Sequence, residues 1–202
     1  NTSRGRFLRM TNEEGTVNRL GTHVDPILAL LAPLYWIHDG VETLLVVQTL
    51  ALASATWPIF QLARRKLASP WAGAVFALVY LAYPAVEATN LWEFHAIALA
   101  ACFLTWAFYA LVTEKTGVFW LFAILAMSCK EEVPLVVAMM GVYAILFLKR
   151  RKLGGAALIV GRAWFVIAVK VVLPYFAQGG RSIHLRHFDY LGDSVQQVIV
   201  AA

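Results

Sequence analysis

Long runs of apolar residues, separated by short polar connections, make up most of this chain. A helix needs about 20 predominantly apolar residues to cross the hydrocarbon core of a bilayer. The shortest of the runs, 117–127, predicts either a tilted short span or a re-entrant helix. The pattern predicts about six spanning or half-spanning helices, which cover residues 41–63, 70–86, 94–112, 117–127, 133–148 and 153–177.

Proline and serine positions add detail to these elements. The apolar stretch 26–37 is too short for a full span and predicts an interfacial or half-inserted helix. Pro58 lies inside the run 41–63, where it should kink the helix rather than end it. Ser69 followed by Pro70 is typical of a helix N-terminus, because the hydroxyl caps the first turn and proline fits the first helical position.

The composition agrees with a membrane protein. The chain of 202 residues is 60% hydrophobic and only 14% charged, whereas about a quarter of the residues of a soluble domain are charged. So few charges cannot cover a soluble globule with a hydrated surface, and a lipid bilayer removes that requirement. We therefore predict an all-α fold, a polytopic transmembrane helix bundle embedded in lipid.

Basic residues predict the orientation of the helices. The chain has a formal net charge of +5, and its two basic clusters, 64–66 and 149–152, lie directly at the ends of apolar runs. The positive-inside bias places these clusters, together with Lys115, in the cytoplasm. Arg19 and the other N-terminal arginines then lie on the opposite side, against the bias. No aromatic residues interleave with the basic ones, which excludes nucleic acid as a partner.

This orientation gathers most acidic residues and histidines on the extracytoplasmic face. Ionisable residues at membrane level are costly and usually face a bundle interior or an aqueous cavity, so chemistry is expected on this face. The polar start and abrupt apolar end of the chain predict a fragment of a larger domain, with at least one helix upstream. The predicted parts are an extracytoplasmic loop 1–22, a transmembrane helical domain 23–178 and an extracytoplasmic C-terminal segment 179–202.

The first candidate segment on that face contains His23 and Asp25. Residues two apart in an extended segment can point the same way and share a ligand. Neutral imidazole serves as an acid, a base or a ligand near neutral pH. Asp25 also has a structural explanation, because an aspartate before Pro26 is a helix-start signal, and we expect it to be mainly an N-cap.

Further candidates lie in two connections and one helix. Glu93 and His95 are either interfacial charges or part of a site. Lys130 and Glu131 precede a predicted helix, whose N-terminus favours acidic residues, but a pocket would also explain charges at the edge of the bilayer. Lys170 either snorkels or binds an anionic head group. Clustered Glu and His would suit a divalent cation, although their spacing matches no specific metal site.

A series of sequence blocks, taken in order, resembles a known family. The blocks are HVDP at 23–26, LAPLY at 31–35, TLLVVQTLAL at 43–52, LARR at 62–65, YLAYPA at 80–85, EFH at 93–95 and CKEE at 129–132. The series covers about residues 21–175 and resembles the predicted membrane proteins catalogued as domain of unknown function 2079. That family in turn looks like a distant branch of the C-type glycosyltransferases, which are multi-helix membrane enzymes that use a polyprenyl-phosphate-linked sugar.

The resemblance implies an enzyme of the prokaryotic cytoplasmic membrane that transfers a sugar from this donor on the extracytoplasmic face. It places His23, His95 and Glu131 at motif positions, as the catalytic residues. Where this chain has Asp25, serine is expected to be common in the family, which favours the capping role. The acidic residue that C-type enzymes carry in their first outer loop is expected upstream of Asn1. The substrate-binding candidates are Lys130, Glu93, Asp25 and Lys170.

Two alternatives stay open at this point. One is a transporter or flippase of an anionic lipid or solute, which would need polar residues near the middle of the bilayer. Gln48 is a mild candidate for such a residue, but the chain has no internal repeat. The other alternative is a non-catalytic membrane scaffold.

Overall fold

The computed structural model describes residues 8–12 and 15–177, and helices account for most of them. An N-terminal hairpin and a 3₁₀ turn precede ten α-helices in this described part. The elements are β1 Arg9–Asn12, β2 Gly15–Asn18, a 3₁₀ turn Arg19–Gly21, α1 Ile27–Leu31, a 3₁₀ helix Ala32–Trp36, α2 Glu42–Ser54, α3 Thr56–Lys66, α4 Pro70–Leu81, α5 Pro84–Leu91, α6 Ala96–Val112, α7 Thr116–Met127, α8 Val133–Leu146, α9 Arg151–Ile167, a π-helical turn Ala168–Val172 and α10 Leu173–Phe176.

Two continuous helices are long and apolar enough to cross a membrane: Glu42–Lys66, of 25 residues, and Arg151–Phe176, of 26 residues. The pair α4 and α5 adds a third span if the two helices, bent by 45°, are counted as one. The prediction of about six spans is therefore not confirmed. Helices α6, α7 and α8 contain 17, 12 and 14 residues. At ~1.5 Å per residue they extend about 18 to 26 Å, less than the roughly 30 Å hydrocarbon core.

Local signals placed several helix ends correctly. Ser69 Oγ accepts a hydrogen bond from Ala72 N at 3.3 Å, so the predicted cap of α4 is confirmed. The apolar stretch 26–37 does form short helices. Pro58 does not end its helix, as predicted, and the boundary between α2 and α3 lies at Ala55. Proline has no N–H to donate to the carbonyl four residues earlier, which loosens the helix just before it.

The helices α6 to α9 share one apolar core that is rich in small residues. Small residues let helix backbones approach closely in a membrane protein, where packing rather than water drives association. A Cβ added to Gly154 of α9 would lie 2.5 Å from the carbonyl oxygen of Gly141 of α8, so only glycine fits at this crossing. The buried core residues are Ala107, Ala110, Leu111, Phe119, Ala123, Met127, Val137, Ala144 and Ala157.

The 3₁₀ turn that follows the N-terminal hairpin lies against the end of the last helix. Strands β1 and β2 are antiparallel, and the Asn18 side chain accepts a hydrogen bond from Leu20 N at 3.0 Å to start the 3₁₀ turn. Gly21 is buried, and a Cβ there would overlap the carbonyl of Phe176. This close approach fixes where the chain enters the segment 22–26. The predicted loop 1–22 thus contains ordered structure in its described part.

Candidate functional site

A polar cavity of about 300 Å³ lies where three connecting segments meet. The segments are 19–25, 93–97 and 129–130, which are far apart in sequence. Five of the seven residues predicted as catalytic or substrate-binding line this cavity, and a sixth, Glu131, contacts one of them. The lining residues are Arg19, His23, Asp25, Glu93, Phe94, His95, Ala96, Ile97, Cys129 and Lys130.

Buried apolar neighbours hold each polar segment in place. Ala96 follows His95, Cys129 precedes Lys130, and Ile27 follows the Asp25–Pro26 step. Ala96, Cys129 and Ile27 belong to one buried cluster beneath the cavity. Because Asp25, His95 and Lys130 are each one or two positions from a residue of this cluster, apolar packing at the helix ends brings the three segments together.

Glu131 binds the segment around His23 with both carboxylate oxygens. Oε1 lies 3.2 Å from His23 Nδ1, and Oε2 accepts a hydrogen bond from Val24 N at 2.9 Å. The two partners are more than 100 positions from Glu131 in sequence. A backbone hydrogen bond from Ile27 N to the Ser128 carbonyl, 3.0 Å long, joins the same two segments. The imidazole therefore has a fixed carboxylate partner and a fixed orientation.

This pairing decides the ionisation of Glu131. Burial by itself raises the pKa of the Glu131 carboxyl, but the hydrogen bonds from His23 and Val24 N outweigh it and lower the pKa to about 2. Hydrogen bonds to the charged form of an acid favour that form. Glu131 is thus a stable anion and a weak base, suited to orienting His23 rather than to taking a proton itself.

Asp25 does not cap a helix, so the predicted capping role is wrong. The residue before α1 is Pro26, and no described side chain caps this helix. Instead, Asp25 Oδ2 accepts a hydrogen bond from Arg19 Nε at 2.5 Å. Asp25 is 1% exposed, and burial raises the pKa of its carboxyl although the nearby Arg19 opposes the shift. The ion pair with Arg19, which lies in the preceding 3₁₀ turn, therefore replaces the capping contact that the local sequence predicts.

Arg19 is a site residue that the sequence did not single out. In the charge pattern it was one of the arginines that conflict with the positive-inside bias, and nothing linked it to Asp25. The structure explains its position, because its guanidinium forms a wall of the cavity and an ion pair with a buried carboxylate. An Arg–Asp spacing of six residues across a turn was the only available signal.

Gln48 was also missed as part of the site. Its side chain, on α2, is fully buried, and Oε1 accepts a hydrogen bond from His95 N at 3.0 Å. Its Nε2 donates to the Thr89 carbonyl at 2.9 Å. The amide therefore satisfies one backbone group at the end of α5 and one at the start of α6. It holds His95 at the cavity, where the imidazole also lies 3.6 Å from the Glu93 carboxylate.

Replacing Gln48 with leucine is expected to lower the stability of the protein by about 2 kcal/mol, because two backbone groups lose their buried partner. Thermal unfolding of the purified protein in detergent measures this loss. Gln61→Leu is the matched control, since Gln61 lies in α3 and is partly exposed. Equal stability of the Gln48 and Gln61 variants would contradict the role given to the Gln48 amide.

Lys130 and Lys170 are placed differently. Lys130 lines the cavity, and its Nζ lies 2.8 Å from Glu132 Oε1, so it forms an ion pair within the connection itself. Lys170 lies in the π-helical turn, is exposed, and does not line the cavity. The structure therefore does not bring Lys170 together with the other predicted substrate-binding residues.

Metal binding receives no support from the described residues. Within 8–12 and 15–177, no group of three or more His, Cys, Asp or Glu side chains is arranged to hold a metal ion. His23 lies 3.2 Å from the Glu131 carboxylate, and His95 lies 3.6 Å from the Glu93 carboxylate. The predicted C-terminal segment 179–202 lies outside the described residues.

Long apolar helices, small-residue packing and a polar cavity at the helix ends together define a helical integral membrane protein. The chain belongs to the family described as "Predicted membrane protein (DUF2079)", whose model matches residues 1–202. The family membership expected from the ordered sequence blocks is confirmed. No curated protein and no solved structure matches the chain.

Proposed function

We propose that this protein takes part in glycosyl transfer, with a polyprenyl-phosphate-linked sugar bound at the cavity on the extracytoplasmic side of the membrane. The observation that carries the proposal is that His23, in the wall of a cavity that also contains cationic side chains, is paired with Glu131. Such a site joins a proton-transfer group to groups that stabilise a leaving anion. Both are needed to displace a phosphate by a hydroxyl.

The first part of the chemistry is removal of a proton from the acceptor. In the proposed reaction His23 takes the proton of the acceptor hydroxyl, and the ionised Glu131 stabilises the resulting imidazolium. A carboxylate that holds a histidine in one orientation makes it a more effective general base. The pKa of Glu131, about 2, supports this division of roles, because Glu131 stays ionised throughout.

The second part is departure of the lipid phosphate. The acceptor oxygen forms a bond to the anomeric carbon while the bond from that carbon to the phosphate oxygen breaks. The electron pair leaves on the phosphate, and Arg19 and Lys130 lie in the cavity wall to stabilise its charge. Fixed donors aimed at a developing charge are a large source of catalysis. His95, held by Gln48 and near Glu93, is the third phosphate contact of the proposal.

Replacing His23 with glutamine in the full-length protein is expected to lower sugar transfer from lipid-linked donors by at least about 100-fold, the effect of losing one general base. The assay measures radiolabelled sugar moved from a panel of polyprenyl-phosphate sugars to acceptor. His38→Gln is the matched control. His38 and Glu42 form a similar pair at 3.5 Å, but both side chains are about two-thirds exposed.

The control variant should transfer sugar at the wild-type rate. Wild-type turnover in the His23 variant would remove His23 from the mechanism, and no transfer by the wild-type protein with any donor of the panel would refute the proposed reaction.

The buried polar side chains Asp25 and Gln48 both contribute to this one site. That arrangement favours transfer at one end of the helices over transport through the bundle.

A further inference from the structure

Asp25 has a buried oxygen that bonds to none of the described residues. Its Oδ2 is bound by Arg19 Nε, whereas Oδ1 has no hydrogen-bond partner within the described part of the chain, and the residue is 1% exposed. A buried acceptor that lacks a donor is costly, and most such atoms in folded proteins are satisfied. Because Asp25 also lines the polar cavity, a donor on a molecule bound there is the natural partner of Oδ1.

Arg19 has further donors beside the same carboxylate, and these bond to none of the described residues. Its hydrogen bond to Asp25 is made by Nε, and its two terminal nitrogens bond to no other residue that the structure describes. The side chain is 35% exposed and lines the cavity. The planar fork of a guanidinium matches two oxygens of a phosphate or carboxylate. One ion pair therefore combines an anion-binding fork with an acceptor that has no donor among the described residues.

We propose that this Arg19–Asp25 pair recognises a ligand that carries an anionic oxygen group and a hydroxyl on the same molecule. The terminal nitrogens of Arg19 donate to the anion, and the hydroxyl donates to Asp25 Oδ1. This inference rests on the proposed function for the view that the cavity holds substrate. It adds that Asp25 is the residue that binds a hydroxyl group of that substrate. Asp25 is thereby a specificity-determining residue instead of a helix cap.

The surroundings favour a hydroxyl over an ammonium group as the donor. Arg19 already balances the charge of the Asp25 carboxylate, so a ligand ammonium at Oδ1 would add a second cation beside the Arg19 guanidinium. A neutral hydroxyl satisfies Oδ1 without that repulsion. The cavity volume of about 300 Å³ is at the lower end of ligand sites, which suits a small head group.

The test compares small anionic probes with and without hydroxyl groups. Glycerol 3-phosphate and propyl phosphate share a carbon skeleton and a phosphate, and glycerate replaces the phosphate with a carboxylate. Calorimetry on the full-length protein in detergent measures their affinities. The wild-type protein is expected to bind a hydroxylated probe about tenfold more tightly than propyl phosphate, the effect of one hydrogen bond to a charged group. Comparison of glycerol 3-phosphate with glycerate identifies the anion.

Asp25→Asn is expected to reduce the preference for hydroxylated probes to less than about threefold. Glu42→Gln is the control and should keep the full preference, because Glu42 belongs to an exposed ion pair remote in sequence from the cavity. Asp25→Glu preserves the charge opposite Arg19 and displaces the oxygens, so it should lose the preference as well. An equal affinity of the wild-type protein for all probes, or no binding of any, overturns the inference even if neither variant folds. So does a preference that survives both substitutions.

The outcome is separable from that of the transfer assay. A hydroxyl preference that depends on Asp25, together with absence of sugar transfer, would refute the proposed reaction and leave the binding role standing. Transfer that depends on His23, together with no such preference, would refute the role of Asp25 alone.

Discussion

Replacing Glu131 with glutamine is expected to lower the stability of the protein at pH 7 by about 3 kcal/mol. The carboxyl has a pKa of about 2 in the folded protein, against an ordinary value of 4.5, and each pKa unit corresponds to about 1.4 kcal/mol. The side chain is only 13% exposed, so solvent screens little of this effect. Glutamine has no negative charge to pair with His23, and its amide nitrogen cannot accept a hydrogen bond from Val24 N.

The same substitution should change how stability depends on pH. A group whose pKa is lowered by folding stabilises the folded state fully above its ordinary pKa, and this contribution is lost as pH falls through the folded value. The wild-type protein should therefore lose the Glu131 contribution between about pH 4.5 and pH 2, and the variant has no such contribution to lose. Tryptophan fluorescence during thermal unfolding in detergent, at several pH values, measures both effects.

Glu132→Gln is the matched control for Glu131. Glu132 is the next residue and pairs with Lys130, but its side chain is 49% exposed. Exposed ion pairs contribute about 0 to 1 kcal/mol, so this variant should unfold close to the wild type. Equal unfolding temperatures for the two variants at pH 7 would contradict the view that Glu131 anchors the segment around His23.

The second large effect is expected at the crossing of α8 and α9. Gly154→Ala should destabilise the protein by about 1 to 3 kcal/mol, the usual cost of overpacking. The new Cβ would lie 2.5 Å from the carbonyl oxygen of Gly141 and 2.6 Å from Ile145 Cγ1, so the two backbones must separate. Unfolding by a denaturing detergent, followed by fluorescence, measures the change.

Gly155→Ala is a control one residue away on the same helix. A Cβ at Gly155 meets nothing within 4 Å. Alanine there removes the conformational freedom of glycine and should stabilise the protein by up to about 1 kcal/mol. The two variants are thus expected to differ in opposite directions from the wild type. If both behave alike, close backbone packing does not hold α8 against α9.

Part of the candidate site was visible in the sequence. His23, Glu93, His95 and Lys130 are polar residues next to apolar runs, and charges at membrane level are costly enough to indicate a cavity. Sequence spacing did not show which of them meet. Glu131 pairs with a histidine that is 108 positions earlier, a contact that depends on the packing of α1, α7 and α8.

Other parts of the site depended on contacts that no local pattern describes. Asp25 has the sequence context of a helix cap, yet its carboxylate pairs with Arg19, because the turn at Gly21 brings the guanidinium to it. Gln48 lies within an apolar run. Only the tertiary structure shows that its amide bonds to the backbone where α5 ends and α6 begins. Side-chain capping and propensity are weak effects that tertiary contacts override.

The hydrophobic pattern by itself determined that this is a membrane protein built from helices, where most helices lie and where several begin. Those features depend on the transfer of apolar side chains out of water and on local backbone preferences, which are properties of neighbouring residues. Only the tertiary structure decided the length of each helix, the pairing of Arg19 with Asp25 and of His23 with Glu131, and the exclusion of Lys170 from the cavity. Those features depend on packing between residues distant in sequence, which no single segment contains.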